Sequence, residues 1–233
     1  VGCDEVGSFI LGELKRENVN TEFVLKLENW QSSFSSVLVD IDGDRQIVNY
    51  RESLPVDAIN SISNFPVYDA YLSDSRWSEA AIATLSLARK HKKPGVLDAE
   101  APVSQHAVEI ASHVAFSMQG LKQFTNKDDL MASLKVIEND YNSWACVTDG
   151  PNGVYFLEEG ALHNLPTPRI KAEDTLGAGD VWHGAFAVCL AEGKSEREAI
   201  KFSNLAAAIK CTRFGGQSSI PTRREIDEFI NSK

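Results

Sequence analysis

Two hundred and thirty-three residues, 43% of them hydrophobic, are enough for one sizeable α/β core and too few for two full domains. A formal charge of −10 argues against nucleic acid as a general partner, although a local patch can still meet an anionic small molecule. No apolar run reaches membrane-spanning length and no signal sequence opens the chain. The four cysteines (Cys3, Cys146, Cys189, Cys211) form neither a C-x-x-C pair nor a Cys/His cluster, so reduced thiols in the cytoplasm are the expectation.

Taken in chain order, residues 8 to 18 carry apolar and charged positions at helical spacing. Two alternating runs, 36–40 and 45–50, flank Asp42-Gly43, which predicts a hairpin at about 33–50. Strand and helix then alternate: a strand at 69–74, a helix at 78–91, a strand at 95–98, an amphipathic stretch near 103–111, a strand at 113–117 and a helix at 128–138. A buried strand at 144–148 follows, then two strands near 154–158 and 161–164 joined by Glu158-Glu159-Gly160. Helices are predicted at 179–192, 195–211 and 222–231. Repeated β–α units imply a mostly parallel sheet flanked by helices, with ligands at the carboxyl ends of its strands. No repeat, low-complexity tract or linker divides the chain, so residues 1–233 are expected to form one α/β domain with a small hairpin lid.

The string Asp174-Thr175-Leu176-Gly177-Ala178-Gly179-Asp180 runs directly into the apolar helical stretch 181–190. Small residues at Gly177, Ala178 and Gly179 let the backbone turn tightly, and the helix start adds unpaired amides and the positive end of its dipole. Such a turn is a receptor for phosphate oxygens. Asp180, just inside the helix, sets a carboxylate beside it, placed to take a proton from an attacking hydroxyl.

This string resembles the second signature of the ribokinase-like (PfkB) sugar kinases, and the resemblance extends over essentially all of the chain. It implies a three-layer α/β sandwich with a β lid that covers the sugar, ATP as phosphoryl donor, Mg²⁺ to neutralise its phosphates, and a sugar as acceptor. Asp180 then acts as the base and contacts the substrate, with the amides of Gly177, Ala178 and Gly179 on the transferring group. Thr148, Gly150 and Gly153, in the segment Thr148-Asp149-Gly150-Pro151-Asn152-Gly153, resemble the family's nucleotide-side turn, although Asp-Gly and Asn-Gly also make ordinary turns; Thr175 joins them in the cofactor-binding set. Asn204 and Ala207, on a small-residue helix ending near Gly215-Gly216, match the adenine wall, where alanines admit a flat ring and Asn204 offers a polar edge. Packing alone explains an alanine helix as well. In the family the loop after that helix often holds a monovalent cation on its carbonyls.

Departures are equally visible. Where the family has Asn-x-x-Glu after a middle strand, this chain has Ser117-Met118-Gln119-Gly120, so no metal-binding residue is assigned. Val1-Gly2-Cys3-Asp4-Glu5-Val6-Gly7 resembles an interior stretch, and the resemblance implies a preceding segment with a first core strand and an early Asp for substrate hydroxyls. Arg76 follows the carboxyl end of a strand, and Asn49 lies at the inner end of the lid hairpin. With Asn49-Tyr50, Arg76-Trp77, Phe116-Ser117 and Lys210-Cys211-Thr212-Arg213, the chain looks like the sulfofructose kinase branch, in which the matching Arg and Asn contact a sulfonate. The expected substrate is therefore an anionic ketose such as 6-deoxy-6-sulfofructose. Fructose or another ketohexose, 2-keto-3-deoxygluconate, and a non-catalytic sensor on the same fold are the alternatives. For Arg76 a surface salt bridge with Asp74 or Glu79 is the plain structural reading, and His183 reads as a packing residue. Lids of this family often pair, which suggests a homodimer.

Overall fold

The computed structural model describes every residue except 42–44, 53–58, 60–61, 63–64 and 232–233. The Asp42-Gly43 turn therefore lies outside the described residues. The chain divides into two compact units, Val1–Phe65 and Pro66–Lys233.

In the first unit, helix α1 (Glu5–Arg16) begins three residues earlier than its apolar spacing suggests, because Asp4 caps it. The Asp4 carboxylate accepts from the Gly7 N–H at 2.7 Å and from the N–H and hydroxyl of Ser32, each at 2.7 Å. These donors hold its carboxyl below the usual range, the Ser32 N–H most of all. Strands β1 (Phe34–Val39) and β2 (Arg45–Tyr50) pair antiparallel, with Phe34 opposite Tyr50, Ser36 opposite Val48 and Ser35 opposite Asn49. Opposed residues share a face. One face therefore carries Phe34, Leu38, Val48 and Tyr50, and the other carries Asn49, whose side-chain oxygen accepts from the Ser35 hydroxyl at 2.6 Å.

The second unit is built on a six-stranded sheet of β3 (Tyr71–Asp74), β4 (Gly95–Ala99), β5 (His113–Ser117), β6 (Trp144–Thr148), β7 (Val154–Glu158) and β8 (Ala161–Leu165), with spatial order equal to chain order. The first four strands are parallel and the last two antiparallel. Right-handed crossovers that all step the same way must leave their helices on one face. Accordingly α2 (Ser78–His91), α3 (Gln105–Ile110), α4 (Met118–Thr125) and α5 (Leu130–Tyr141) share one core with that face. The opposite face is covered by α6 (Ala178–Ala191), α7 (Glu196–Cys211) and α8 (Arg223–Asn231). Strand side chains sort between the two cores with period two: Val96, Ala115 and Cys146 face α6 and α7, while Leu97, Val114, Phe116, Ala145 and Val147 face the other layer.

Helix α4 has no counterpart in the sequence expectations. Ser117 ends β5 and caps α4 at once, its hydroxyl accepting from the Gly120 N–H at 3.0 Å, so no turn residues separate the two elements. A Cβ on Gly120 would lie 2.4 Å from the Ala99 carbonyl oxygen, and the close approach of α4 to β4 depends on that glycine. Among the described residues no helix is long and apolar enough to cross a membrane.

Candidate active site

The start of α6 has the geometry its sequence predicts. Gly177 takes the N-cap position with φ +76°, in the left-handed region where glycine is at ease. The Leu176 N–H is tied to Asp174 Oδ1 at 2.9 Å, the Ala178 N–H to the Thr175 carbonyl at 3.2 Å, and the Val181 N–H to the Gly177 carbonyl at 3.1 Å. Among the described residues, the N–H groups of Gly177, Gly179 and Asp180 are left without a protein acceptor. Of the expected Gly177, Ala178 and Gly179 donors, Gly177 and Gly179 are open, Ala178 closes the turn itself, and Asp180 adds a third open N–H. Asp180 and Thr175 are exposed. Open amides, a helix dipole and an adjacent free carboxylate make a site that can hold an anion and accept a proton.

The turn is anchored from behind by the last turn of α7. The N–H groups of Glu173 and Asp174 donate to the Cys211 carbonyl at 2.8 and 3.3 Å. Lys210, 1% exposed, donates to the Asp174 carbonyl at 3.0 Å, and its ammonium lies 3.5 Å from Asp174 Oδ2. The Leu176 N–H, followed by the Lys210 charge, holds the Asp174 carboxyl below its ordinary range.

On the sheet side, Asp98 lies two residues after Val96 and so faces α6, and Asp74 is its register partner on β3. Asp98 Oδ2 is 3.3 Å from Nδ1 of His183, which sits one turn beyond Asp180 on α6. His183 is buried, and among the described residues neither ring nitrogen has an aligned hydrogen-bond partner. Burial pushes the Asp98 carboxyl up, His183 opposes that shift, and the carboxylates of Glu100, Asp180 and Asp74 add to it. Sequence reasoning passed over Asp98 and treated His183 as packing alone. The available signal was a charged residue within an otherwise buried strand. Arg76 pairs with Glu100, and its N–H donates to Asp74 Oδ1 at 2.7 Å. The salt bridge is thus made to a residue 24 positions on rather than to Asp74 or Glu79.

A cleft of about 640 Å³ opens beside this turn, with Gly177, Asp180 and Gly184 on one wall and Phe202, Ala206 and Lys210 on the other. The three α7 residues are spaced i, i+4, i+8 and form a single stripe. Asn204 is not on it. Its Oδ1 accepts from Trp182 Nε1 at 2.8 Å, and its Nδ2 donates to the carbonyls of Leu165 and Pro166 at 3.0 and 3.4 Å. Both ends of the amide are engaged within the protein, so Asn204 clamps α6, α7 and the end of β8 together. Ala207 is half-buried against the core beside it. Thr148, Gly150 and Gly153 lie at the carboxyl end of β6 and do not line the cleft. The Thr148 hydroxyl donates to the Phe116 carbonyl at 3.3 Å, and Gly153 is pressed against Leu165. Asn49 belongs to the other unit. At 117–120 the chain presents a helix cap and no carboxylate, so the residues there do not fit a divalent-metal site.

A family model described as pfkB family carbohydrate kinase matches residues 1–223. The ribokinase of Bacillus subtilis is 26% identical over 238 residues, covering 99% of this chain and 80% of that protein. The fructokinase of Vibrio alginolyticus is 27% identical over 259 residues, covering 99% and 83%. A crystal structure from Agrobacterium tumefaciens, provisionally described as a ribokinase, matches with a TM-score of 0.88 at 34% identity, covering all of this chain and 78% of that one. The Arabidopsis thaliana ribokinase complexed with ribose and ATP has the same fold, with a TM-score of 0.81 at 21% identity over 99% of this chain and 80% of that one.

Proposed function

The chain belongs to the pfkB family of carbohydrate kinases, and from that premise we propose that Asp180 is the base that activates a sugar hydroxyl for phosphoryl transfer. The observation that carries this reading is the exposed Asp180 carboxylate beside the unpartnered N–H groups of Gly177, Gly179 and Asp180. These amides are placed to hold equatorial oxygens of a transferring phosphoryl group, where charge grows in the transition state. The cleft and the open amides fit a nucleotide, and ATP, when bound, supplies the phosphoryl group. Asp180 withdraws the hydroxyl proton as the oxygen attacks. Mg²⁺ accompanies the nucleotide phosphates, and this chain offers it no ligand at 117–120.

For the sugar, Arg76 supports an anionic ketose such as sulfofructose. Its ion pair with Glu100 is half exposed, so little free energy opposes its release to a substrate anion. A neutral ketohexose is the second reading, favoured by the carboxylates of Asp74, Asp98 and Glu100 near the strand ends, which accept from hydroxyls and repel anions. ADP release with Mg-ATP and sulfofructose, fructose or 2-keto-3-deoxygluconate separates them. Arg76→Gln is expected to lower kcat/KM for sulfofructose by about 10²-fold, the worth of a charge-assisted fork, with little change for fructose. A wild type that prefers fructose removes the sulfonate role of Arg76 and keeps the kinase. No turnover with any sugar in the panel counts against the role of Asp180.

A homodimer through the hairpin is supported by the exposed apolar face of Phe34, Leu38, Val48 and Tyr50, with Leu38 60% and Val48 58% exposed. Val48→Lys is expected to weaken self-association about tenfold or more in sedimentation; a wild type that is monomeric at micromolar concentration rules the dimer out. Cys146, Cys189 and Cys211 are buried and, among the described residues, in no disulfide, which suits a reducing compartment such as the cytoplasm.

A further inference from the structure

Lys210 is a buried charge that the phosphoryl-transfer chemistry does not use. Its side chain is 1% exposed, among the largest fully buried side chains of the structure. An ammonium out of water is costly unless oxygens surround it. Among the described residues, both protein oxygens that it contacts, the carbonyl at 3.0 Å and Oδ2 at 3.5 Å, belong to one residue, Asp174. The other carboxylate oxygen of Asp174 holds the Leu176 N–H, immediately before Gly177. Displacing Asp174 therefore displaces the amides that face the cleft. Lys210 also stands in the last turn of α7, where the carbonyl end of the dipole favours a cation. A lysine ammonium is a compact point charge without the planar demands of guanidinium. Among oxygens it is chemically close to a free ammonium or potassium ion.

We propose that Lys210 is a positioning residue, a tethered cation that holds the 174–179 turn in its anion-receiving shape and makes a free monovalent cation unnecessary. The catalytic part of this inference rests on the kinase reading above, whereas its structural part does not. It also replaces the expectation of a bound monovalent cation beside this loop with a charge supplied by the chain itself.

The test compares wild type and Lys210→Met in choline, potassium and ammonium chloride at constant ionic strength. Wild-type kcat should be unchanged among the three salts. The variant should lose about 10²-fold in kcat in choline chloride, as a misplaced site does. Ammonium should restore at least about tenfold, with sugar KM little altered, because a cation fitting the vacated space restores the turn. Thermal melting reads the same vacancy without turnover. For a site of about 10 mM affinity, 100 mM ammonium should raise the melting temperature of the variant by about 3 °C relative to choline, and that of wild type not at all. If the variant is unfolded in choline, ammonium should refold it as seen by circular dichroism. A wild type activated more than about tenfold by potassium or ammonium overturns the proposal, and so does a variant that ammonium neither stabilises nor refolds. Failure of the kinase reading would appear separately, as wild-type inactivity in every salt, and would leave the melting comparison to decide.

Discussion

Asp180→Asn is expected to lower kcat by about 10²–10⁴-fold, the usual worth of a positioned base, equivalent to about 2.7–5.5 kcal/mol of transition-state stabilisation. The substitution keeps the shape of the side chain and removes only its ability to take a proton. Asp180 is exposed in the first turn of α6, and it adds repulsion to the half-buried Asp98 carboxylate. Neutralising it should therefore not cost stability. The backbone amides that would face phosphate are unchanged, so MgATP affinity by calorimetry should stay close to wild type while turnover collapses. A variant with near-normal turnover would remove Asp180 as the base, and a fall in melting temperature matching the loss of activity would make its role structural.

The largest expected effect on stability is at Gly153. Its φ of +94° and ψ of −145° lie in a region essentially reserved for glycine, costing about 1–3 kcal/mol for another residue. A Cβ there would also sit 2.2 Å from the Leu165 carbonyl oxygen and 2.7 Å from the Pro166 Cα. Both contacts are with backbone, so relief requires moving β8 against β7, a further 1–3 kcal/mol or so by analogy with overpacked cores. Gly153→Ala should therefore lose about 3–5 kcal/mol in urea titration. Gly150, three residues earlier at φ +50° with open space around it, is the control: alanine there should cost only about 1–2 kcal/mol. Equal losses at the two positions would show that conformation alone, and not contact with β8, fixes Gly153.

Much of this protein is local and so was legible without coordinates. The strand and helix alternation from β3 to α8 follows period-two and helical patterning of buried residues, and its boundaries agree within a few positions. Helix α4 escaped because Ser117 closes a strand and caps a helix in one residue. On α7, buried residues run almost continuously from Ala199 to Cys211. Polarity therefore gives no sign of which stripe meets the cleft, and Asn204 and Ala207 lie beside the stripe of Phe202, Ala206 and Lys210 that lines it.

The sequence by itself determined the tight turn, its open amides and the carboxylate beside them, because glycine torsions, helix-end amides and the side chain of Asp180 are all set within seven consecutive residues, 174 to 180. Only the tertiary structure decided what holds them. Lys210 reaches Asp174 across 36 residues, Asn204 reaches Leu165 across 39, Arg76 turns to Glu100 across 24, and His183 meets Asp98 from another layer. Side-chain ionic and polar partners are selected by which elements pack together, and that packing is driven by non-directional burial of apolar surface. No pattern along the chain encodes these pairings.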